Sequence, residues 1–113
     1  MTVAEAISGL QLERFTAGDA GLVRHISGGY AGDLLSCAMA GANAGEVWVT
    51  LQAHRNVVAV AALTDVACVV ITEGARPDAE TVDSAERSGV TLLGSERDTF
   101  AVVAELARLG VPS

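Results

Sequence analysis

The segment from Val66 to Ile71 restricts the fold of this chain more than any other feature. Its residues, Val-Ala-Cys-Val-Val-Ile, are all apolar and together have the length of a β-strand. A strand without polar residues has to be covered on both faces, as the central strands of parallel sheets are. The segment therefore predicts a layered domain in which helices pack on both sides of a sheet.

The second half of the chain alternates between strand-like and helix-like segments. Strands are predicted at 46–51 and 90–93, where apolar residues, many of them β-branched, are concentrated. Helices are predicted at 57–64, at 77–88 and at the end of the chain, where Phe100, Val103 and Ala107 form one apolar stripe with Leu106 beside it. This alternation favours an α/β fold, a compact layered domain with a largely parallel sheet flanked by helices.

The first half gives weaker signals. Short strands are predicted at 11–15 and 22–26, and a helix is predicted to begin near Asp33, whose carboxylate would accept the free N–H groups of the first turn. A short amino-terminal helix is predicted from an apolar face with helical spacing, formed by Val3, Ala6, Ile7 and Leu10.

Length and charge exclude several classes of protein. A chain of 113 residues is predicted to form one domain, 1–113. It carries seven basic and 14 acidic residues, for a net charge of −7, and all seven basic residues are arginine. An acidic domain is a poor match for a nucleic-acid backbone, so no nucleic-acid partner is expected. Without lysine the chain also lacks a Walker A loop and a Schiff-base residue.

The two cysteines and the apolar segments point to a cytoplasmic protein without a membrane anchor. Cys37 and Cys68 both have apolar neighbours in the sequence and are expected to pack in the core. A single disulfide between them is the alternative that the sequence leaves open. The longest apolar stretch, 57–63, is too short to cross a bilayer, and no secretory signal is evident at the amino terminus. No metal site and no cofactor are predicted.

Polar segments follow the predicted strands, at the ends where open parallel sheets bind ligands. The most distinctive one is 50–56, in which a carboxamide, an imidazole and a guanidinium lie within four residues. Such a set suits a phosphate or a nucleotide. The alternative is that Gln52 and His54 bind loop backbone while Arg55 is a solvated surface charge. The candidate ligand-binding residues here are Thr50, Gln52, His54 and Asn56.

A second candidate is the glycine-rich segment 27–33, which leads into a predicted helix. Three of its five central positions are glycine, so the backbone can turn tightly and approach a ligand closely. The alternative is a plain connection in which Asp33 only caps the helix. The candidate ligand-binding residues in this segment are Ser27, Gly28, Gly29 and Asp33.

Nothing in the sequence singles out a catalytic residue. His25 and His54 do not have the spacing of zinc ligands, and no HExxH motif is present. Cys37 has no visible base nearby, and apolar surroundings would keep its thiol protonated.

Two blocks of the sequence resemble the DRTGG domain family. The first is Leu-Val-Arg-His-Ile-Ser-Gly-Gly-Tyr at 22–30, followed by Asp-Leu-Leu-Ser at 33–36. The second, at 47–61, contains a Thr-Leu-Gln-Ala-His-Arg-Asn run that leads into an apolar helix. The first block departs from the name-giving motif, because Val23 replaces the aspartate and Ser27 replaces the threonine.

The resemblance implies a fold like the N-terminal domain of HPr kinase. Related modules stand beside phosphotransacetylase domains and between the CBS domains of some inorganic pyrophosphatases, in regulatory or dimer-forming positions. Some stand-alone copies are encoded near iron-only hydrogenase genes, so a redox enzyme or a kinase is an implied partner protein.

These observations lead to one expected function and two alternatives. The expected function is a non-enzymatic regulatory or interaction module that forms a homodimer and binds a small anion or nucleotide at the strand-end loops. The apolar helix at 57–63, with small residues for close packing at Ala59, Ala61 and Ala62, motivates the dimer. The alternatives are a small phosphoryl or acyl transferase that uses His54 as acid and base, and a cofactor-free accessory protein of a hydrogenase system.

Overall fold

Five strands in one sheet and five α-helices make up the computed structural model, which describes residues 1–113. The helices are α1 (Val3–Leu10), α2 (Leu35–Gly41), α3 (Asn56–Thr64), α4 (Ala79–Ser88) and α5 (Thr99–Arg108). The strands are β1 (Glu13–Arg14), β2 (Gly28–Ala31), β3 (Glu46–Thr50), β4 (Cys68–Ile71) and β5 (Leu92–Gly94). A 3₁₀ helix, Ala20–Val23, precedes β2.

The strands lie in the order β1-β5-β4-β3-β2, and β2 to β5 are parallel neighbours in sequence order. Only the two-residue β1 is antiparallel, paired with β5 at one edge. The predicted α/β fold with a largely parallel, helix-flanked sheet is therefore confirmed.

The apolar segment 66–71 contains β4, and all four residues of that strand are buried. Cys68 and Val70 belong to the core on the face that α1 and α5 cover, whereas Val69 and Ile71 belong to the core beneath α2, α3 and α4. Side chains alternate between the faces of a strand, so a strand covered on both sides needs apolar residues throughout.

The ends of the helices follow the residue types at their caps. The Thr2 hydroxyl accepts the N–H of Glu5, and the Glu5 carboxylate accepts the N–H of Thr2, which is a complete capping box for α1. Asp78 and Asp98 cap α4 and α5 in the same position, each by accepting an N–H from the third residue of the helix.

Three local predictions in the first half were wrong. The segment predicted as a strand at 22–26 contains the end of the 3₁₀ helix instead. The glycine-rich segment predicted as a loop contains edge strand β2, which pairs with β3 over four residues. Asp33 does not cap α2, because its N-cap residue is Leu34, which makes no side-chain hydrogen bond there.

The two cysteines are unpaired and differ in environment. Cys68 is 1 % exposed in the core, as predicted, and burial raises the pKa of its thiol to about 12. Cys37 is exposed on α2, so its predicted place in the core was wrong. None of the helices combines the length and the hydrophobicity that a membrane-spanning helix needs.

The apolar helix α3 is covered largely by its own chain. Val57, Val58, Val60 and Ala61 are buried against the sheet and the neighbouring helices α2 and α4. On its outer side, Leu63 is 73 % exposed.

Candidate functional site

Because β2, β3, β4 and β5 are parallel, their carboxyl ends meet at one edge of the sheet, which we call the carboxyl rim. The chain leaves the four strands there through residues 32–34, 51–55, 72–78 and 95–98. Three of the four exits lead into helices on the α2–α4 face, and the fourth leads into α5 on the opposite face.

Three of the predicted residues meet on this rim where β2 and β3 end. The Asp33 Oδ1 atom accepts hydrogen bonds from the Thr50 hydroxyl at 2.9 Å and from the Leu51 N–H at 2.8 Å. The Gln52 side-chain amide donates to the Asp33 backbone oxygen at 3.1 Å. The indole N–H of the fully buried Trp48 donates to the Gly32 oxygen at 3.0 Å, and this bond holds the turn after β2 from the core side.

This network gives Gln52 the backbone-binding role that the sequence left open as an alternative. Thr50 is fully buried, so its hydroxyl needs a partner inside the protein, and Asp33 supplies it. The network joins two strand ends.

Ser27, Gly28 and Gly29 lie at the opposite end of β2. The Ser27 N–H donates to the Gly45 oxygen, and the Ser27 hydroxyl lies 3.4 Å from the Ala44 oxygen. Strands rise about 3.3 Å per residue, so the four residues of β2 separate these groups from the rim by about 13 Å. The structure thus divides the predicted 27–33 site between the two ends of a strand.

His54 and Asn56 lie further along the rim, in what we call the rim groove. It has a volume of about 300 Å³ and lies where α3 and α4 begin. Its lining contains no apolar residue and consists of His54, Arg55, Asn56, Asp78, Glu80 and Thr81.

Hydrogen bonding shows which nitrogen of the neutral His54 ring carries the proton. Its Nδ1 atom accepts the N–H of Asn56 at 3.1 Å, which requires Nδ1 to be unprotonated. In the neutral imidazole the proton is then on Nε2, which is a donor. The same bond shows that His54 also binds loop backbone, as the alternative interpretation expected.

The first amides of α3 are already occupied. The N–H of Val57 donates to the His54 oxygen and that of Val58 to the Arg55 oxygen, at 2.9 and 3.0 Å. A ligand in the groove therefore depends on side chains rather than on free N–H groups at this helix end.

The charges of the groove come from three residues. Arg55 lies 3.6 Å from the Glu80 carboxylate, and the two side chains are 62 % and 84 % exposed. Asp78 accepts the Thr81 N–H, and this hydrogen bond lowers the pKa of Asp78, with a smaller lowering from the charge of Arg55. The groove therefore holds one cation, loosely paired, between two carboxylates.

The residues on the α4 side of the groove were not among the predicted site residues. Asp78 is the N-cap of α4, and Glu80 and Thr81 belong to its first turn, which begins more than 20 residues after His54. A signal was available, since in strand–helix alternation every helix after a parallel strand begins at the same rim.

A second crevice on the rim was also missed. The helix that follows β4 packs on one face of the sheet, and the helix that follows β5 packs on the other. A cavity of about 190 Å³ opens between the carboxyl ends of these two strands. Arg76 crosses it, bonded to the Glu13 carboxylate at 2.7 and 2.5 Å and stacked 5.1 Å from the centre of the Phe15 ring. The ion pair lowers the pKa of Glu13. Contacts between residues 63 positions apart leave no local signal in a sequence.

No group of three or more histidine, cysteine, aspartate or glutamate side chains is arranged to hold a metal ion.

Comparison with known proteins agrees with the observed fold. The chain has a TM-score of 0.76 to the crystal structure of the CBS and DRTGG domains of the regulatory region of Clostridium perfringens pyrophosphatase, complexed with the activator diadenosine tetraphosphate. The two are 13 % identical, and the match covers 93 % of this chain and 45 % of that one. No curated protein sequence matches the chain.

The family comparison matches the DRTGG domain to residues 32–109. The matched part includes the Thr-Leu-Gln-Ala-His-Arg-Asn block and excludes the divergent block at 22–30. Because the match spans more than half of the residues of this chain, the chain belongs to the DRTGG domain family.

Proposed function

We propose that this chain is a non-enzymatic regulatory module that binds a small anionic effector, with nucleotides as the preferred class, in the rim groove. The observation that carries the proposal is the position of Arg55. Its guanidinium is exposed, and its one ion-pair contact, to Glu80, is long at 3.6 Å. An anionic group that replaces Glu80 gains a charge-assisted hydrogen bond at little cost, because exposed ion pairs contribute little.

The neighbouring side chains support recognition of a nucleotide. The Nε2–H group of His54 adds a second donor beside Arg55, and the Asn56 carboxamide offers both a donor and an acceptor. Since the chain has no lysine, arginine is its only permanent side-chain cation for phosphate.

The family also supports a regulatory role. The matching pyrophosphatase structure is a regulatory region, and the activator bound to it is a dinucleotide. We further propose that the chain forms a homodimer in solution and that it regulates a partner protein, either a redox enzyme or a kinase.

Titration calorimetry with ATP, diadenosine tetraphosphate and acetyl phosphate tests the proposal. We expect saturable binding of at least one of them, weakened about tenfold or more by Arg55→Ala, since a charged hydrogen bond contributes roughly 1.5–3 kcal/mol. Arg87→Ala is the matched control, because Arg87 pairs with Asp83 on α4 and does not line the groove.

Two results would contradict the proposal. If none of these ligands gives a heat of binding at millimolar concentration, the chain does not bind an effector of this class. Turnover of ATP or acetyl phosphate that disappears in His54→Ala would make the chain an enzyme of the phosphoryl or acyl transferase class.

A further inference from the structure

The two faces of the sheet are covered unequally. Three helices, α2, α3 and α4, pack on one face, whereas α1 and α5 pack on the other. On this second face the edge strand β2 has no helix above it, and Gly29 and Ala31 are exposed. Parallel strands normally have both faces covered by helices, whereas here the carboxyl-terminal residues 111 and 112 lie beside Gly28 and Gly29 in place of a helix.

An apolar groove of about 380 Å³, which we call the α5–β2 groove, lies between α5, β2 and the carboxyl-terminal residues 111–113. One wall is α5 with Val103, Leu106 and Ala107, and the floor includes Val47 and Val49. No aspartate, glutamate or arginine side chain lines it.

Val103 and Ala107 of the apolar stripe of α5 line this groove, and Phe100 lies outside it. Val102 and Leu106 are the buried residues of the helix, whereas Phe100 is 84 % and Val103 is 37 % exposed. Phe100, Val103 and Ala107 are spaced so that they follow one another along the same side of a helix. The exposed aromatic ring therefore lies one turn before the wall of the groove.

Charge and geometry identify the occupant as a second copy of the chain. The net charge is −7, and six of the seven arginines are in intramolecular ion pairs, so most surfaces of two copies repel each other. No acidic side chain lines the α5–β2 groove, so this surface opposes the approach of a second copy less than the rest of the chain does. It also places a protruding apolar group beside an apolar recess, which is the self-complementary arrangement that a two-fold interface requires.

We propose that two copies of this chain pack through the α5–β2 groove, with Phe100 of each copy filling the groove of the other. The inference rests on the homodimer of the proposed function and assigns its surface. It moves the contact from α3, whose outer side carries the exposed Leu63, to the opposite face of the sheet.

Sedimentation of the full chain across micromolar concentrations tests this surface. We expect a dimer whose dissociation constant rises about tenfold or more in Phe100→Ala and in Val103→Asp, as for a central interface residue. Phe100 is exposed in the monomer, and alanine favours helix, so loss of the dimer in Phe100→Ala cannot come from unfolding. Leu63→Asp is the matched control on α3 and should leave the dimer unchanged.

A wild-type chain that sediments as a monomer at all these concentrations would overturn the inference, as would a dimer broken by Leu63→Asp and not by Phe100→Ala. Nucleotide calorimetry on the same samples keeps the two proposals apart. Binding by a monomeric wild-type chain would leave the effector site standing while the dimer surface fails.

Discussion

The Asp33 carboxylate lies 2.9 Å from the Thr50 hydroxyl and joins the carboxyl ends of β2 and β3. The same oxygen atom accepts the Leu51 N–H at 2.8 Å, so one side chain satisfies two donors where the chain leaves the sheet. Thr50 is fully buried, and its hydroxyl donates to Asp33 while accepting the Gln52 N–H at 3.1 Å. Asp33, together with the hydrogen bonds that Gly32 makes to Trp48 and Val49, therefore holds the end of edge strand β2, which has a neighbour on one side only.

We predict that Asp33→Ala destabilises the protein by roughly 1–3 kcal/mol, the cost of leaving the proton of a buried hydroxyl without an acceptor. Urea denaturation measures this change. Asp33→Asn keeps an oxygen acceptor and should lose less. Asp83→Asn, which removes an exposed carboxylate that pairs with Arg87 on α4, is the control for loss of a surface charge. Equal stability of Asp33→Ala and Asp83→Asn would show that the strand-end network contributes nothing.

How far local sequence determines structure differs between the two halves of the chain. The buried run at 66–71 and the helix at 57–64 have enough apolar residues to specify β4 and α3 without information from elsewhere. β2 does not, since Gly28 and Gly29 have low strand propensity and their conformation follows from pairing with β3. That pairing joins residues 18 positions apart, beyond the reach of any local pattern.

The candidate site also depends on contacts that no local sequence pattern predicts. Thr50 ends β3, Gln52 and His54 follow it directly, and all three are on the rim as predicted. Asp33 reaches the rim as well, but it binds residues 17 and 18 positions away instead of its own helix. Local reasoning favoured the cap because aspartate is common at that position. The tertiary contact is preferred here because it satisfies a buried hydroxyl.

The two cysteines should react very differently with a thiol reagent. Burial raises the pKa of the Cys68 thiol to about 12, so almost none of it is thiolate at neutral or mildly alkaline pH, and the core also excludes the reagent. Cys37 is exposed and should react. Labelling with a chromogenic disulfide reagent should therefore give one fast thiol per chain in native protein and two after denaturation. Fast labelling of both thiols in the native protein would contradict the buried position of Cys68.

Stability should fall in acid partly through Asp78. A hydrogen bond from the Thr81 N–H lowers the pKa of this carboxyl in the folded protein below its usual 3.8. A lowered folded pKa means that ionised Asp78 stabilises the fold above about pH 4, and that this contribution disappears as the pH falls through the folded value. Asp78→Asn keeps the cap acceptor but does not titrate, so its melting temperature should fall less steeply than that of the wild type below pH 4.

Asp78→Ala separates the cap from the charge. It loses the hydrogen bond to Thr81 at every pH, so it should be less stable than Asp78→Asn at pH 7 as well. If both variants and the wild type show the same slope of melting temperature against pH in acid, the ionisation of Asp78 does not stabilise the fold.

Gly94, at the end of β5, should not tolerate a side chain. A Cβ atom at this position would lie 2.4 Å from Cζ and 2.5 Å from Cε2 of Phe15, well inside van der Waals contact. The ring is held in place by Arg76 stacked on it, and Arg76 is bonded in turn to Glu13. Gly94→Ala therefore has to displace this whole group, and we expect a loss of about 1–3 kcal/mol in the free energy of unfolding, typical of overpacking.

Gly18→Ala is the control for the Gly94 prediction, because a Cβ atom at Gly18 would have no neighbour within 4 Å. It makes the same chemical change on the same chain and should leave the stability nearly unchanged. Chemical shifts of the Phe15 ring protons provide the structural readout, since the ring has to leave the Arg76 guanidinium when Gly94 gains a methyl group. If Gly94→Ala is as stable as Gly18→Ala and the Phe15 shifts do not move, the close contact between β5 and the Phe15 ring is absent in solution, and the crevice between β4 and β5 is wider than the structure shows.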